Sequence, residues 1–144
     1  MKKFVFFLIG ILGILFFTSC KKNDSSTMLG KWRFSKARVN SSTTFNGQTQ
    51  VFDTTFIYTI PTYCNFDNNG NIQITCDTCT TTETAKYKVS NNKLSWIYSY
   101  VFNQQTLYDT VVYDIQKLTS SELNLYNSSA ESDYNSQVWI YLNR

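Results

Sequence analysis

The segment LSWIYSYVF (residues 94–102) decides the fold. It places a large side chain at every second position, at Leu94, Trp96, Tyr98, Tyr100 and Phe102. Successive side chains of a β-strand point to opposite faces of the sheet, so these five lie on one face. The segment therefore predicts a strand with one broad aromatic face, and it is the longest run of this kind in the chain.

Segments with the composition of β-strands lie on both sides of it. Aromatic residues make up 17% of the chain and Pro61 is its only proline, and such a composition suits a pleated, half-buried surface. Turn sequences separate the segments, among them DNNG (residues 67–70) and SNNK (residues 90–93), because Asn and Gly tolerate positive φ. Two polar stretches, residues 40–50 and 127–133, are predicted to be loops. We therefore expect eight or nine strands.

Regularly spaced strands joined by short turns indicate a sandwich or an up-and-down barrel. Closure of the sheet removes unpaired strand edges, so the barrel is the favoured architecture. The expected fold is all-β, an antiparallel up-and-down barrel of about eight strands.

The first 20 residues indicate where the chain resides. Lys2 and Lys3 precede an apolar run over residues 4–17, which is shorter than the ~20 residues of a membrane-spanning helix and fits a secretory signal peptide. Phe17-Thr18-Ser19-Cys20 closes this segment. We expect a signal peptide at residues 1–19, a flexible tether at residues 20–28 and one domain at residues 29–144. An uncleaved N-terminal anchor and an ordinary signal peptide with an incidental Cys20 are the alternatives.

Charge and residue types exclude several classes of function. Without Lys2 and Lys3 the chain has 11 basic and 10 acidic residues. This near-neutral balance lacks the excess of basic residues that is typical of nucleic-acid-binding domains. The chain has no histidine, so histidine-based catalysis and histidine-containing metal sites are excluded. The acidic residues are scattered, and no glycine-rich phosphate loop is present. We expect a protein that is not an enzyme and has no cofactor, no metal and no nucleic-acid partner.

Six basic residues follow Cys20 within eighteen positions. Such a cluster forms either a solvated linker and first strand or a contact with anionic lipid headgroups. The six are Lys21, Lys22, Lys31, Arg33, Lys36 and Arg38.

Three further cysteines are present in the predicted domain. Cys76 and Cys79 have the spacing of redox motifs, but they lie in a threonine-rich β context and not before a helix that would lower a thiol pKa. If residues 77–78 form a two-residue hairpin turn, Cys76 and Cys79 face each other at a distance that a disulfide spans. A Cys76–Cys79 disulfide with Cys64 as a buried thiol is therefore favoured. A bridge from Cys64 is the alternative.

Two resemblances to known families add to this interpretation. Residues 17–20 resemble the lipobox of bacterial lipoproteins, which implies a diacylglycerol on the Cys20 thiol. Lys21, where some bacteria use Asp for inner-membrane retention, then implies an outer-membrane lipoprotein, in the periplasmic leaflet or at the cell surface. The succession of Leu29-Gly30-Lys31-Trp32, DNNG, YKVSNNKL (residues 87–94) and LTSSELNL (residues 118–125) resembles the small lipocalin-like (calycin-type) lipoproteins of Gram-negative bacteria.

The lipocalin resemblance implies two structural residues. It implies that Trp32 plugs the closed end of the barrel and that Arg144 covers it. The chain departs from eukaryotic lipocalins because it has no Thr-Asp-Tyr-type middle motif and no helix predicted before the last strand.

Two functions are compatible with these observations. The first is a membrane-anchored binding protein whose barrel takes a small apolar or amphipathic ligand, with Trp96, Tyr98 and Tyr100 lining the site. The second is an envelope protein-interaction or inhibitor module that has a filled lumen and binds its partner through residues 40–50 and 127–133. An eight-stranded barrel can be filled by its own side chains or can hold one small ligand, so the sequence leaves both open.

Overall fold

The computed structural model describes residues 28–144, and these form nine antiparallel strands. They are β1 (Gly30–Phe45), β2 (Gln48–Ile57), β3 (Thr62–Phe66), β4 (Asn71–Cys76), β5 (Glu83–Ser90), β6 (Lys93–Phe102), β7 (Gln105–Leu118), β8 (Glu122–Glu131) and β9 (Tyr134–Asn143). The predicted signal peptide, Cys20 and most of the predicted tether lie outside the described residues.

Eight of the strands close into a barrel. Strands β3 to β9 pair in chain order, β3 pairs with the start of β1, and β1 pairs with β9, where Ala37 lies opposite Ile140. The predicted antiparallel barrel of about eight strands is thus confirmed. The extra strand, β2, pairs with the second half of β1, on the same edge as β3. A bend that contains Pro61 separates β2 from β3.

The two ends of the barrel differ. At the closed end lie the turns at residues 67–70, 91–92 and 119–121, together with the start of β1. At the open end, three hairpins extend beyond the closed part, with turns at residues 46–47, 103–104 and 132–133. Asn46, Asn91 and Asn103 have φ near 50° at the first turn position, as two-residue hairpin turns require.

The core fills only the closed half of the barrel. Its fully buried side chains come from seven strands and from Met28: Met28, Trp32, Cys64, Phe66, Ile72, Leu94, Ile115, Leu123, Leu125 and Leu142 are at most 2% exposed. Fully burying one aliphatic or aromatic side chain stabilises a fold by ~1.5–3 kcal/mol. Together these side chains form the core of the barrel among the described residues.

Three sequence-based predictions are corrected here. Residues 40–50 are not a loop: they are the end of β1, a two-residue turn and the start of β2. Residues 127–133 likewise continue β8 to Glu131 before a two-residue turn. Both stretches are polar because they lie beyond the core, where both faces of a strand meet water. Met28, which was assigned to the tether, is fully buried and accepts a hydrogen bond from Nε1 of Trp32.

Candidate functional site

Along β6, the side chains of the inner face become more exposed with distance from the core. Leu94 is 0% exposed, Trp96 is partly buried, and Tyr98, Tyr100 and Phe102 are 37%, 47% and 60% exposed. The β6–β7 pairing runs from Lys93 to Phe102 without a register shift, so all five side chains lie on the face that is the barrel interior at Leu94. The interior is therefore closed at one end and open to solvent at the other.

Trp96 forms the floor of this open end. Its ring makes edge contacts with Phe66 and Tyr113, at centroid distances of 6.3 and 6.4 Å. Edge-to-face pairs of this kind are favourable aromatic geometry. Partial burial raises the pKa of the Tyr113 hydroxyl. Of the three side chains predicted to line a ligand site, Trp96 packs on the core, whereas Tyr98 and Tyr100 stand in the open part.

A second aromatic surface lies on β2. Phe56 lies opposite Ala37 and Phe52 lies opposite Ser41 in the β1–β2 ladder, and directly opposite residues share one face of a sheet. Ala37 is buried in the barrel wall, so this is again the inner face. Phe52 and Phe56 are each 50% exposed. We call Tyr98, Tyr100, Phe102, Phe52 and Phe56 the aromatic rim.

One residue of the aromatic rim, Tyr98, has a charged hydrogen-bond partner. The hydroxyl of Tyr98 donates to Oδ2 of Asp109 at 2.9 Å, and Asp109 lies directly opposite Tyr98 on β7. This hydrogen bond is the main reason why the pKa of Tyr98 is raised. The open end therefore combines apolar rings with a carboxylate on the same inner face.

The hairpins at the open end have unpaired edges. Within residues 28–144, β5 pairs with β6 only as far as Ile97, and β8 pairs with β7 only as far as Asp114. The side chain of Asn127 donates to the carbonyl of Val112, 2.8 Å away, where the two strands part. The outer part of the β6–β7 hairpin is consequently a two-stranded ribbon that projects from the barrel.

The closed end is sealed by Trp32. This side chain is 0% exposed, its Nε1 donates to the carbonyl of Met28 at 2.8 Å, and the guanidinium of Arg144 lies 4.1 Å from its ring centroid. Arg144 also donates to the carbonyl of Leu29. Gly30 has a φ of +106°, a conformation that side chains rarely adopt, so glycine is required where β1 begins beside Arg144.

The three cysteines of residues 28–144 have structural positions, two in a disulfide and one buried. Cys76 and Cys79 form a disulfide with a Cα–Cα distance of 5.1 Å, across a β-turn closed by a 3.2 Å bond from the Cys79 amide to the Cys76 carbonyl. The turn does not form a two-residue hairpin, because β4 and β5 pair only up to Ile74 and Glu83. Cys64 lies opposite Ile74 and is fully buried, and burial raises the pKa of its thiol to about 12.

Residues 28–144 contain neither a cluster of metal-ligating side chains nor a helix able to span a membrane. No group of three or more Cys, Asp or Glu side chains is placed to hold a metal ion within this part of the chain. Among the same residues, no helix has the length and apolar character needed to span a membrane.

Comparison with known proteins gives a likeness in structure and none in sequence family. No family model and no curated protein matches the sequence. The chain is similar to a crystal structure of the isotype 1 transferrin binding protein B from serogroup B Neisseria meningitidis, with a TM-score of 0.41 and 12% identity. The match covers 80% of this chain and 25% of that one, so the chain spans about a quarter of its length. The assignment of the barrel fold depends on the strand pairing of this chain and not on this likeness.

The sequence analysis identified Tyr98, Tyr100 and Phe102 but missed the other two residues of the aromatic rim, Phe52 and Phe56. Phe52 and Phe56 lie in the segment VFDTTFIY (residues 51–58), where every second position is Phe, Thr, Phe and Tyr. That alternation predicts that Phe52 and Phe56 share one face of a strand. It is the sequence signal by which the two residues could have been identified.

Proposed function

We propose that this chain is a lipid-anchored, lipocalin-like barrel of the bacterial envelope that binds a small amphipathic molecule at its open end. The observation that carries the proposal is the aromatic rim. Exposed apolar surface often marks a ligand site, and here the exposed rings lie on strand faces that continue the inner face of the barrel.

The residues of the open end define the class of ligand. The rings of Tyr100, Phe102, Phe52 and Phe56 offer apolar area, and Tyr and Phe bind apolar bodies well. Asp109 places a negative charge on the same face. A neutral or cationic amphiphile suits this combination better than an anionic one, because a carboxylate repels a negative group. The activity proposed is binding without catalysis.

A dye titration tests the ligand site. We expect the neutral apolar dye Nile red to bind saturably, and Tyr100→Ser to weaken its affinity about tenfold, which corresponds to losing ~1.4 kcal/mol of aromatic contact. Tyr108→Ser is the matched control: Tyr108 is 72% exposed and lies opposite Ser99, on the outer face of the same hairpin. Saturable binding that both variants leave unchanged, or no saturable binding at all, would contradict a ligand site at the open end.

Membrane fractionation tests the anchor separately. The full chain should sediment with membranes, and a Cys20→Ser variant should be released into the soluble fraction. Equal partition of the two proteins would show that Cys20 has no part in attachment.

The unpaired edges favour protein binding as a second candidate function. An extended segment of an envelope protein can add a strand to an exposed sheet edge, with main-chain hydrogen bonds supplying affinity. The ribbon formed by β6 and β7 offers two such edges, and Val101 near its tip is 73% exposed. A photocrosslinker at Val101 should then trap one adduct of defined mass in cells. The same crosslinker at Ser120, at the closed end, should trap none.

A further inference from the structure

The charged side chains of residues 28–144 are unevenly distributed along the barrel. This part of the chain has nine basic and nine acidic residues. Seven basic residues but only three acidic ones lie beside the turns and strand ends of the closed end: Lys31, Arg33, Lys86, Lys88, Lys93, Lys117 and Arg144, with Asp67, Asp114 and Glu122. The other six acidic and two basic residues lie farther from the turns of the closed end: Asp53, Asp77, Glu83, Asp109, Glu131 and Asp133, with Lys36 and Arg38.

The three carboxylates of the closed end are already engaged. Asp114 pairs with Lys93 at 2.6 Å, and Glu122 pairs with Lys117. Asp67 accepts hydrogen bonds from the amides of Asn69 and Asn71. Lys31 and Arg33 form no ion pair with another described residue. Lys31 and Arg33 therefore carry positive charge that no side-chain carboxylate among residues 28–144 neutralises.

A cleft of about 550 Å³ concentrates this charge where the chain enters the barrel. Its lining comprises Leu29, Gly30, Lys31, Arg33, Tyr63, Asn143 and Arg144. Lys31 and Arg33 flank Trp32 on the outer face of β1, and Nζ of Lys31 lies 3.8 Å from the ring centroid of Tyr63. Arginine and lysine side chains are the usual partners of phosphate oxygens.

The cleft is held close to the proposed anchor. Met28 is buried at the closed end, and only eight residue steps separate it from Cys20. A fully extended chain spans at most ~3.5 Å per residue, so a lipid on Cys20 keeps the closed end within roughly 28 Å of the bilayer.

We propose that the cleft at the closed end binds the phosphate of an anionic phospholipid headgroup and so orients the barrel with its open end away from the bilayer. This inference rests on the proposed anchor for its orientation. The binding itself depends only on the cleft and can be measured without the anchor.

Vesicle binding of the unlipidated protein tests the inference. The chain from residue 20 onward with Cys20→Ser is mixed with vesicles of phosphatidylcholine alone, or with about 30% phosphatidylglycerol, in about 0.1 M salt. We expect binding to the anionic vesicles only. Since one basic residue near an anionic surface contributes about fivefold in affinity, Lys31→Gln/Arg33→Gln should weaken binding by about 25-fold.

Lys36→Gln is the matched control. Lys36 is also a lysine on β1 and lies over an aromatic ring, with Nζ 4.6 Å from the centroid of Tyr141, but it lies beyond the β1 bulge at Phe34. Lys36→Gln should reduce vesicle binding less than twofold. Circular dichroism should show that both variants are folded.

Three results would overturn the inference. They are equal binding of the wild-type chain to neutral and anionic vesicles, an equal loss for the Lys36 and Lys31/Arg33 variants, and binding of inorganic phosphate with no preference for anionic vesicles. The last result would assign the cleft to a soluble phosphate. None of these outcomes bears on membrane fractionation of the lipidated chain or on dye binding at the open end, so failure here is distinct from failure of the proposed function.

Discussion

Truncation of Trp32 should be among the most damaging single changes in the barrel. Its side chain is 0% exposed, it donates a 2.8 Å hydrogen bond to the Met28 carbonyl, and Arg144 lies over its ring. Replacing a buried Trp by Ala costs ~3–5 kcal/mol. The loss leaves a buried carbonyl without its donor, which adds to the cost. We therefore expect Trp32→Ala to lower the free energy of unfolding by about 4 kcal/mol.

Urea denaturation followed by circular dichroism measures this loss. Small proteins lose ~1–3 kcal/mol per molar urea, so the midpoint should fall by about 2 M. Domains of this size are stable by only ~5–15 kcal/mol, and Trp32→Phe provides a milder variant, at about 1–2 kcal/mol, should the Ala variant not fold.

Trp139→Ala is the control for the loss of an indole ring. Trp139 is half-buried on the outer face of β9, where it contacts Tyr126 at 5.2 Å and Arg38 at 5.3 Å. Its truncation should cost about 1 kcal/mol. If Trp32→Ala costs less than about 1 kcal/mol, or no more than Trp139→Ala, Trp32 is not the plug of the closed end.

Two further predictions concern titratable side chains. With Cys20→Ser in place, native protein at pH 8 should leave Ellman's reagent unreacted, because burial raises the pKa of Cys64 to about 12; one thiol should appear on unfolding, and peptide mapping that joins Cys64 to another cysteine would refute this. The pKa of Asp67 is lowered, chiefly by hydrogen bonds from the side chain and amide of Asn71. Its stabilising contribution should be present above the ordinary carboxyl pKa of ~4 and be lost as pH falls through the lower folded value. Thermal unfolding between pH 2 and 6 should accordingly show a shallower acid-side decline in Asp67→Ala than in the wild type.

The closed half of the barrel could be predicted from sequence because burial imposes a pattern there. Leu94 and Trp96 alternate with smaller residues, and the turn at residues 67–70 has the residues that positive φ requires. Across that turn, Phe66 lies opposite Ile72 and Cys64 lies opposite Ile74, so that apolar side chains share the buried face.

The open half could not be predicted in the same way. Residues 40–45 and 127–131 are strands whose faces both meet solvent or the open interior, so no alternation of apolar and polar residues marks them. They are ordered by pairing with β9: Ser41 lies opposite Ser136 on one side, and Ser129 lies opposite Ser136 on the other. Backbone hydrogen bonds between strands do not depend on the type of side chain, so this pairing leaves no local signal in the sequence.

The pairing of β1 with β9 has a consequence for the order of folding. The two strands are separated by about a hundred residues, and Ala37 must find Ile140 before the barrel can close. Contacts of such long sequence separation form late and make folding slow. The local hairpins β6–β7 and β8–β9 can form early, but one edge of β1 stays unpaired until the last strand is present. If such a chain crosses a membrane from its N-terminus, one edge of β1 stays unpaired throughout the passage. The barrel can close only after residue 143 has crossed.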